Sequence, residues 1–421
     1  MYYGWILLAS IGTIYMITTG AVFYGLSVMM PAMIEDLGWT RAQATTGFAI
    51  LSLVIGFAGP VVTMAMKKLS PRITIILGGF VSAIGALILY NYHSLTVYYA
   101  AAVLLACGMT MQSVLPGTQL VTQWFNIRRS LALGIFMAAG GLGGVVGAPT
   151  FSLLIEILGD WRPVWLFVGG VCLTASLISW AFVRNYPADK GQTMDGIPSS
   201  DVQHQANSPN TKPNKVYKTN KNWTVKEAFA DYAYWVVLVS GAIAVTGYMT
   251  VNSQLVLHAK DMGMTAVLAS SALGLQGILT TSGRFISGLL GDFAFEPKLL
   301  FAIGLGGECL GTLLLNFASN PFMLYLAAII FGLGFGLGLV ASTTLLANFY
   351  GSANTATLLS YRILISTILG SIGAVVAGYS ADVFGGYQEV FYAYAAIMLA
   401  GTFLVSSIPI PKGDKNTANS G

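Results

Sequence analysis

Segments of about 20 or more apolar residues, the length a helix needs to cross roughly 30 Å of hydrocarbon, recur along this 421-residue chain in two groups of six. They fall near residues 5–31, 43–66, 73–92, 96–122, 131–157 and 163–183, then 232–257, 266–291, 299–317, 322–347, 353–380 and 388–409. A lipid core offers no partners to backbone amides, so runs of this length must satisfy their own hydrogen bonds as helices. An all-α membrane protein follows, with 12 transmembrane helices in two pseudo-symmetric six-helix bundles. Composition agrees, since 55% hydrophobic and 9% charged residues make the chain too apolar for an ordinary soluble domain.

The loops set the expected topology. With the N-terminus in the cytosol, 15 of the 20 basic residues fall in inside loops, among them Lys67, Lys68, Arg72, Arg128 and Arg129, and only Arg41, Arg162 and Lys260 fall outside. This positive-inside bias predicts a multi-pass protein of the cell (inner) membrane with both termini cytosolic. The first basic residue is Arg41, so the apolar start lacks the charged n-region of a cleaved signal peptide and is expected to remain as the first helix. The net charge of +4 therefore reports topology and not a nucleic-acid partner.

Domain boundaries are expected at 1–184 for the first bundle, 185–231 for a cytosolic linker rich in Lys, Asn, Ser, Gln and Pro, 232–410 for the second bundle and 411–421 for a tail. The stretch 223–231 can form a short interfacial helix. The halves match at a shift of 225 residues, which pairs Asp36, Gly38, Thr40 and Ala44 with Asp261, Gly263, Thr265 and Ala269. Phe125 then meets Tyr350, and Lys67 meets Asp292. One shift that holds across four spans indicates duplicated halves, the architecture of carriers that rock two bundles about a central site.

Arg284 stands inside an apolar span, where a cation needs a reason. Gln276 and Thr280 precede it at intervals of four, so amide, hydroxyl and guanidinium share one helical face. That stripe can bind a carboxylate in bidentate fashion; a structural ion pair is the alternative. Arg362 is either a second substrate ligand or the partner of Glu308, which enters its span from the same side to a similar depth. Glu308 and Asp292 are the candidates for proton coupling, with Glu308 alternatively a packing carboxyl and Asp292 alternatively a clamp on neighbouring helix ends. Tyr248 and Asn252 share a face of the seventh span, and Gln112 and Gln119 a face of the fourth; either pair can line a cavity or bond between helices. Cys107, Cys172 and Cys309 lack pairing or metal-ligand spacing, and no nucleotide loop, nucleophile elbow or metal motif is present. No enzyme, cofactor or metal is expected. The Gly-rich runs 140–147 and 332–338 lie in helices and read as close packing.

Several motifs resemble one family. The run from Trp124 through Phe125, Arg128, Arg129, Leu131 and Ala132 to Gly134, ending in Ala138-Ala139-Gly140, is similar to the fifth-helix signature of the monocarboxylate transporters of the major facilitator superfamily. Tyr3-Gly4-Trp5, Gly59-Pro60 and Ser70-Pro71-Arg72 resemble further motifs of that family and of the related bacterial oxalate/formate antiporters. Arg284, followed by Gly288 and Asp292, resembles its carboxylate-binding arginine. The chain departs from the animal carriers at Thr280, where they have an aspartate, and at Tyr24, where they have a first-helix lysine; together these form the family's proposed proton relay. Tyrosine-rich sites of bacterial relatives make Tyr24 a substrate-ligand candidate, with packing the alternative. The resemblance implies a monomeric secondary transporter of small organic anions, a proton-linked lactate- or pyruvate-like carrier first. An organic anion exchanger using Arg284 and Arg362 is second, and a drug efflux pump or transporter-fold sensor third.

Overall fold

A computed structural model of the chain describes residues 2–91, 94–196, 216–219, 221, 223–293, 295–384 and 386–411. The described residues form helices and no strands. Part of the expected linker, 197–215 with 220 and 222, and the tail beyond Pro411 lie outside them. By packing the chain divides into two units, one of residues 1–126 and 139–208, the other of residues 127–138 and 209–421.

In the first unit, α1 (Gly4–Thr18) passes through a π-helical turn at Thr19–Tyr24 into α2 (Gly25–Leu37), followed by α3 (Arg41–Leu69) and α4 (Pro71–Tyr90). The fourth span is broken: α5 (Leu95–Gln112) and α6 (Val114–Trp124) meet at Ser113, whose φ of −111° and ψ of −128° are not helical. Pro116 has no N–H to offer the Gln112 carbonyl, which accounts for the break. Then come α7 (Arg129–Leu158), whose first turns belong to the second unit, and α8 (Arg162–Phe182). Tyr98, Leu105, Trp161 and Trp165 centre a single apolar core.

The second unit holds the short α9 (Val225–Ala230), then α10 (Tyr232–Asp261), α11 (Ala266–Phe293), α12 (Pro297–Asn316), α13 (Pro321–Tyr350), α14 (Thr355–Phe384) and α15 (Gln388–Ser406). Ahead of α10, Glu227 closes a capping box with Thr224 and pairs with Lys221 at 2.8 Å. The Lys221 hydrogen bond, aided by those from Thr224, holds the Glu227 carboxyl down to about 2.

Eleven helical stretches among the described residues are long and apolar enough to cross a membrane. The exception is α11, which is 28 residues long, or roughly 40 Å at 1.5 Å per residue, but is made more polar by Gln276, Thr280, Thr281, Ser282, Arg284 and Ser287. Its faces are inverted relative to a soluble helix: Ile278 is 53% exposed while Gln276 is 0% and Thr280 2% exposed. Such a helix turns its apolar side to lipid and its polar side into the protein.

The internal repeat has a physical form. Gly38 and Gly263 both take left-handed backbone, with φ of +64° and +82°, the conformation that ends a helix at least cost for glycine. Two residues on, Thr40 and Thr265 cap the next helix, their hydroxyls accepting from Gln43 N at 3.2 Å and Leu268 N at 3.4 Å. Ala44 and Ala269 are both fully buried.

The glycines of α13 let three helices approach. A Cβ at Gly332 or Gly336 would stand 2.6 Å from Gln276 O or 2.2 Å from Thr280 O on α11. Gly334 and Gly338, two residues out of phase, face α12 instead. The apolar core of this unit is split in two. One cluster gathers Trp223, Tyr234, Phe301 and Tyr350, the other Leu255, Leu324, Phe331 and Phe391. Along α10, α11 and α12, Thr246, Gln276, Thr280, Arg284 and Glu308 fall between the stretches that feed the two clusters.

Because Gly336 touches backbone and not a yielding side chain, Gly336→Ala should lower thermal stability in detergent by about 1–3 kcal/mol. Gly274→Ala, where a Cβ meets nothing within 4 Å, should leave the melting temperature unchanged or higher. Equal effects of the two substitutions would refute this packing.

Candidate substrate site

The face of α11 expected from four-residue spacing is present and buried. Gln276 has no partner for either Nε2 or Oε1, and Thr280 none for Oγ1. Arg284 is half-buried; its Nη1 donates to Met137 O at 3.0 Å, and its Nε has no partner. No carboxylate neutralises it: the ion pairs among the described residues are Arg162 with Asp36 and Asp160, and Lys221 with Glu227. Buried polar groups without partners cost on the order of 1–3 kcal/mol each. A cation held by one carbonyl, an unpartnered amide and an unpartnered hydroxyl thus share one face of α11.

Below Arg284, α11 holds the start of α7. A Cβ at Gly288 would come within 2.8 Å of Gly134 Cα, and one at Gly134 within 2.8 Å of Arg284 O. Asp292 then caps α7, its Oδ1 accepting from Ser130 N at 3.0 Å and its Oδ2 from Leu131 N at 2.8 Å. Negative charge at a helix N-terminus is favourable. Arg129, itself buried, donates from Nη1 to Ala347 O at 2.9 Å and Asn348 Oδ1 at 3.2 Å, at the last turn of α13. Asp292 is thus engaged as a clamp. The roles of Ser130, Met137 and Arg129 were not evident from sequence; the only signals were a basic pair just ahead of a helix and Asp292 at the repeat position of Lys67.

Arg362 is 3% exposed. Its guanidinium donates to Ser342 Oγ, and through Nη2 to Thr343 Oγ1 at 3.3 Å. The expected alternative of a pair with Glu308 is not formed, because both Glu308 oxygens lack partners. The residues stand at different levels: Glu308 N lies against Gly334 of α13, and Ser342 is eight residues, roughly 12 Å, further along that helix.

The other expected ligands divide between the units. Tyr248, half-buried on α10, stacks on Phe335 with centroids 3.8 Å apart, and Asn252 Nδ2 donates back to Tyr248 O at 2.7 Å. In the first unit, Tyr24 ends the π-helical turn, half-buried, and its ring fills the space beside Gly144. π-Helical turns within α-helices are frequent at functional sites. The shared face expected for Gln112 and Gln119 does not survive, since the break at Ser113 puts them on separate helices. Gln112 Nε2 instead bonds Cys172 O at 3.1 Å, and Gln119 is buried on α6.

A family model described as the Major Facilitator Superfamily matches residues 12–293 and, again, 237–420. The chain belongs to that superfamily. It is a membrane transporter and not an enzyme. Among curated relatives, Monocarboxylate transporter 13 of Rattus norvegicus is 25% identical over 356 residues, covering 84% of this chain and 77% of that protein. Monocarboxylate transporter 12 of Mus musculus is 24% identical over 429 residues, covering 99% and 87%. The fold is shared with the E. coli fucose:proton symporter at a TM-score of 0.71 and 16% identity, covering 97% of this chain and 100% of that one. A proton:xylose symporter superposes at 0.72 with 12% identity, covering 97% and 96%.

Two outcomes follow for this superfamily member. Asp292→Ala should destabilise the protein by about 0.5–2 kcal/mol through loss of the α7 cap, with Asp292→Asn milder because its oxygen still accepts; equal stability of wild type and Asp292→Ala in thermal unfolding would contradict the cap. Arg362→Met and Glu308→Gln should be additive in stability to within about 0.5 kcal/mol, whereas partial recovery in the double variant would reveal a pair.

Proposed function

We propose that this transporter carries small monocarboxylates of the lactate or pyruvate type across the cell membrane together with a proton, by alternating access, with Arg284 as the anion anchor. The observation that carries the reading is the un-neutralised guanidinium on the same buried face as the unpartnered Gln276 and Thr280. A planar guanidinium matches a carboxylate with two parallel hydrogen bonds, and a short acid leaves oxygen or carbonyl groups for the amide and hydroxyl. The names of the relatives, monocarboxylate transporters, support the substrate class. Tyr24, Tyr248, Asn252, Gln119 and Gln112 are further candidate ligands. The fifth-helix run Trp124–Gly134 favours the proton-linked branch, and the positive-inside distribution of Lys and Arg supports cytosolic termini.

In this reading the Met137 carbonyl occupies Arg284 when substrate is absent. A carboxylate, as the stronger acceptor, takes over Nη1 and frees the arginine from the start of α7, the segment that Asp292 and Arg129 hold. Binding thereby weakens one tie in the clamp.

Exchange of organic anions is the second reading. It rests on Arg362, a buried cation bonded only to hydroxyls, which would match a second anionic group.

Uptake of labelled pyruvate, lactate and oxalate into proteoliposomes, with a pH gradient or with internal counter-anion, tests both. Under the first reading, a pH gradient drives pyruvate or lactate, and Arg284→Lys and Arg284→Ala insert normally but lose uptake. Each lost charge-assisted bond costs about 1.5–3 kcal/mol, or roughly tenfold or more in affinity. Unchanged uptake by a well-inserted Arg284→Ala would refute the anchor, and uptake driven only by internal anion would establish exchange.

A further inference from the structure

Glu308 is 0% exposed, and neither carboxyl oxygen has a hydrogen-bond partner. It occupies the zone between the two apolar clusters of the second unit, at the level where Gly334 of α13 packs on its backbone. On α10 its neighbour is Gly247, where a Cβ would stand 3.9 Å from Oε2; on α15 it is Met398, whose Cε lies against the same glycine. The nearby Thr312 hydroxyl is turned away, donating to Glu308 O at 2.8 Å with Met398 Sδ 3.7 Å from the same oxygen. Titratable groups on these packed stretches are Tyr248 on α10, Tyr394 on α15 and Cys309 on α12, whose thiol donates to Ala395 O. The cations are engaged elsewhere, Arg284 with Met137 on α7 and Arg362 with Ser342 and Thr343 on α13.

A carboxyl in such surroundings is a poor structural element. Methionine or leucine would fill the space without a polar group to desolvate, and glutamine would never carry charge. What glutamate alone adds is the ability to gain and lose a proton, and ionisable groups kept inside membrane bundles against this cost mark proton paths. On the α10 side the Met398 methyl fills the space beside Gly247 and covers Oε2, and the next residue, Tyr248, is stacked on Phe335, the residue after Gly334. Movement of α10 along α13 would separate that stack beside the carboxyl.

We propose that Glu308 is the residue that carries the co-transported proton, an assignment resting on the monocarboxylate reading above. The O–H bond forms on Glu308 with a proton from water on one side of the membrane and breaks when water on the other side accepts it; no electrons move. With substrate bound, the bundle closes over the neutral acid; once substrate and proton have left on the other side, the empty bundle returns with the carboxylate ionised, so one proton crosses with each substrate.

The test uses purified full-length protein in proteoliposomes with labelled lactate and labelled pyruvate as probes. Wild type is expected to accumulate label under an inward proton gradient. Glu308→Gln, which mimics the protonated acid, should lose gradient-driven accumulation yet keep exchange of external label for the same unlabelled acid inside. Proton uptake on binding, measured by calorimetry in buffers of different ionisation enthalpy, should likewise vanish. Glu308→Asp keeps the titratable group and should keep coupling, which guards against a folding defect in the glutamine variant. Gradient-driven accumulation by Glu308→Gln at the wild-type level would overturn the proton assignment while leaving the carrier reading intact. Loss of exchange along with accumulation in a folded Glu308→Gln would also overturn it, by showing a need of the carboxyl for transport as such. Failure of wild type to move either acid would instead remove the monocarboxylate reading on which the proposal stands.

Discussion

A guanidinium inside a membrane bundle with a single carbonyl for a partner is the constraint on which the second unit turns. Arg284 cannot be neutralised by lipid, and among the described residues no carboxylate meets it. The helix that carries it is the long helix, among the described residues, without a stretch apolar enough to count as a membrane span, and it presents Ile278, Phe285 and Leu289 outward. Two apolar clusters are kept apart at this level, because extending either through mid-depth would desolvate the charge further. The glycine run of α13 then serves two neighbours, admitting the α11 backbone through Gly332 and Gly336 and the α12 backbone through Gly334 and Gly338. With no side chains at those contacts, helices approach by van der Waals packing, the main attraction available between helices in lipid.

Much of this was legible in the sequence, and the reason is periodicity. Apolar runs of bilayer length give helices almost regardless of context, and the 225-residue shift located Gly38 with Gly263 and Thr40 with Thr265, which prove to be matched helix-end and helix-start devices. The buried face of Gln276, Thr280 and Arg284 needed only the helical repeat. What failed required information about neighbours. Seven-residue spacing puts Gln112 and Gln119 on one face only of an unbroken helix, and Pro116 breaks it at Ser113. Glu308 and Arg362 were matched by approximate depth, yet Glu308 is eleven residues past Pro297 and Arg362 seven past Thr355, and a depth match carries no information on which way each side chain points. Asp292 as the cap of α7 joins residues more than 160 apart in sequence, beyond the reach of any local pattern.

The two departures from the animal carriers at Thr280 and Tyr24 acquire a common sense. With threonine at 280, no acid stands four residues from Arg284 to compete for its charge, which suits the carboxylate anchor proposed above. A titratable group, if transport is proton-linked, then has to sit elsewhere, and Glu308 is the acid placed in the same mid-depth zone without a partner. In the reading proposed above, anion recognition and proton carriage are divided between α11 and α12, with the glycines of α13 packed against both.

The most direct measurement is an experimental structure of the protein with bound pyruvate. The expected result is the carboxylate within hydrogen-bonding distance of two Arg284 nitrogens, with Gln276 or Thr280 partnered by the ligand and the Arg284 to Met137 tie lengthened or lost. A pyruvate carboxylate bound at other residues, with Arg284 still held only by Met137 O, would contradict the account.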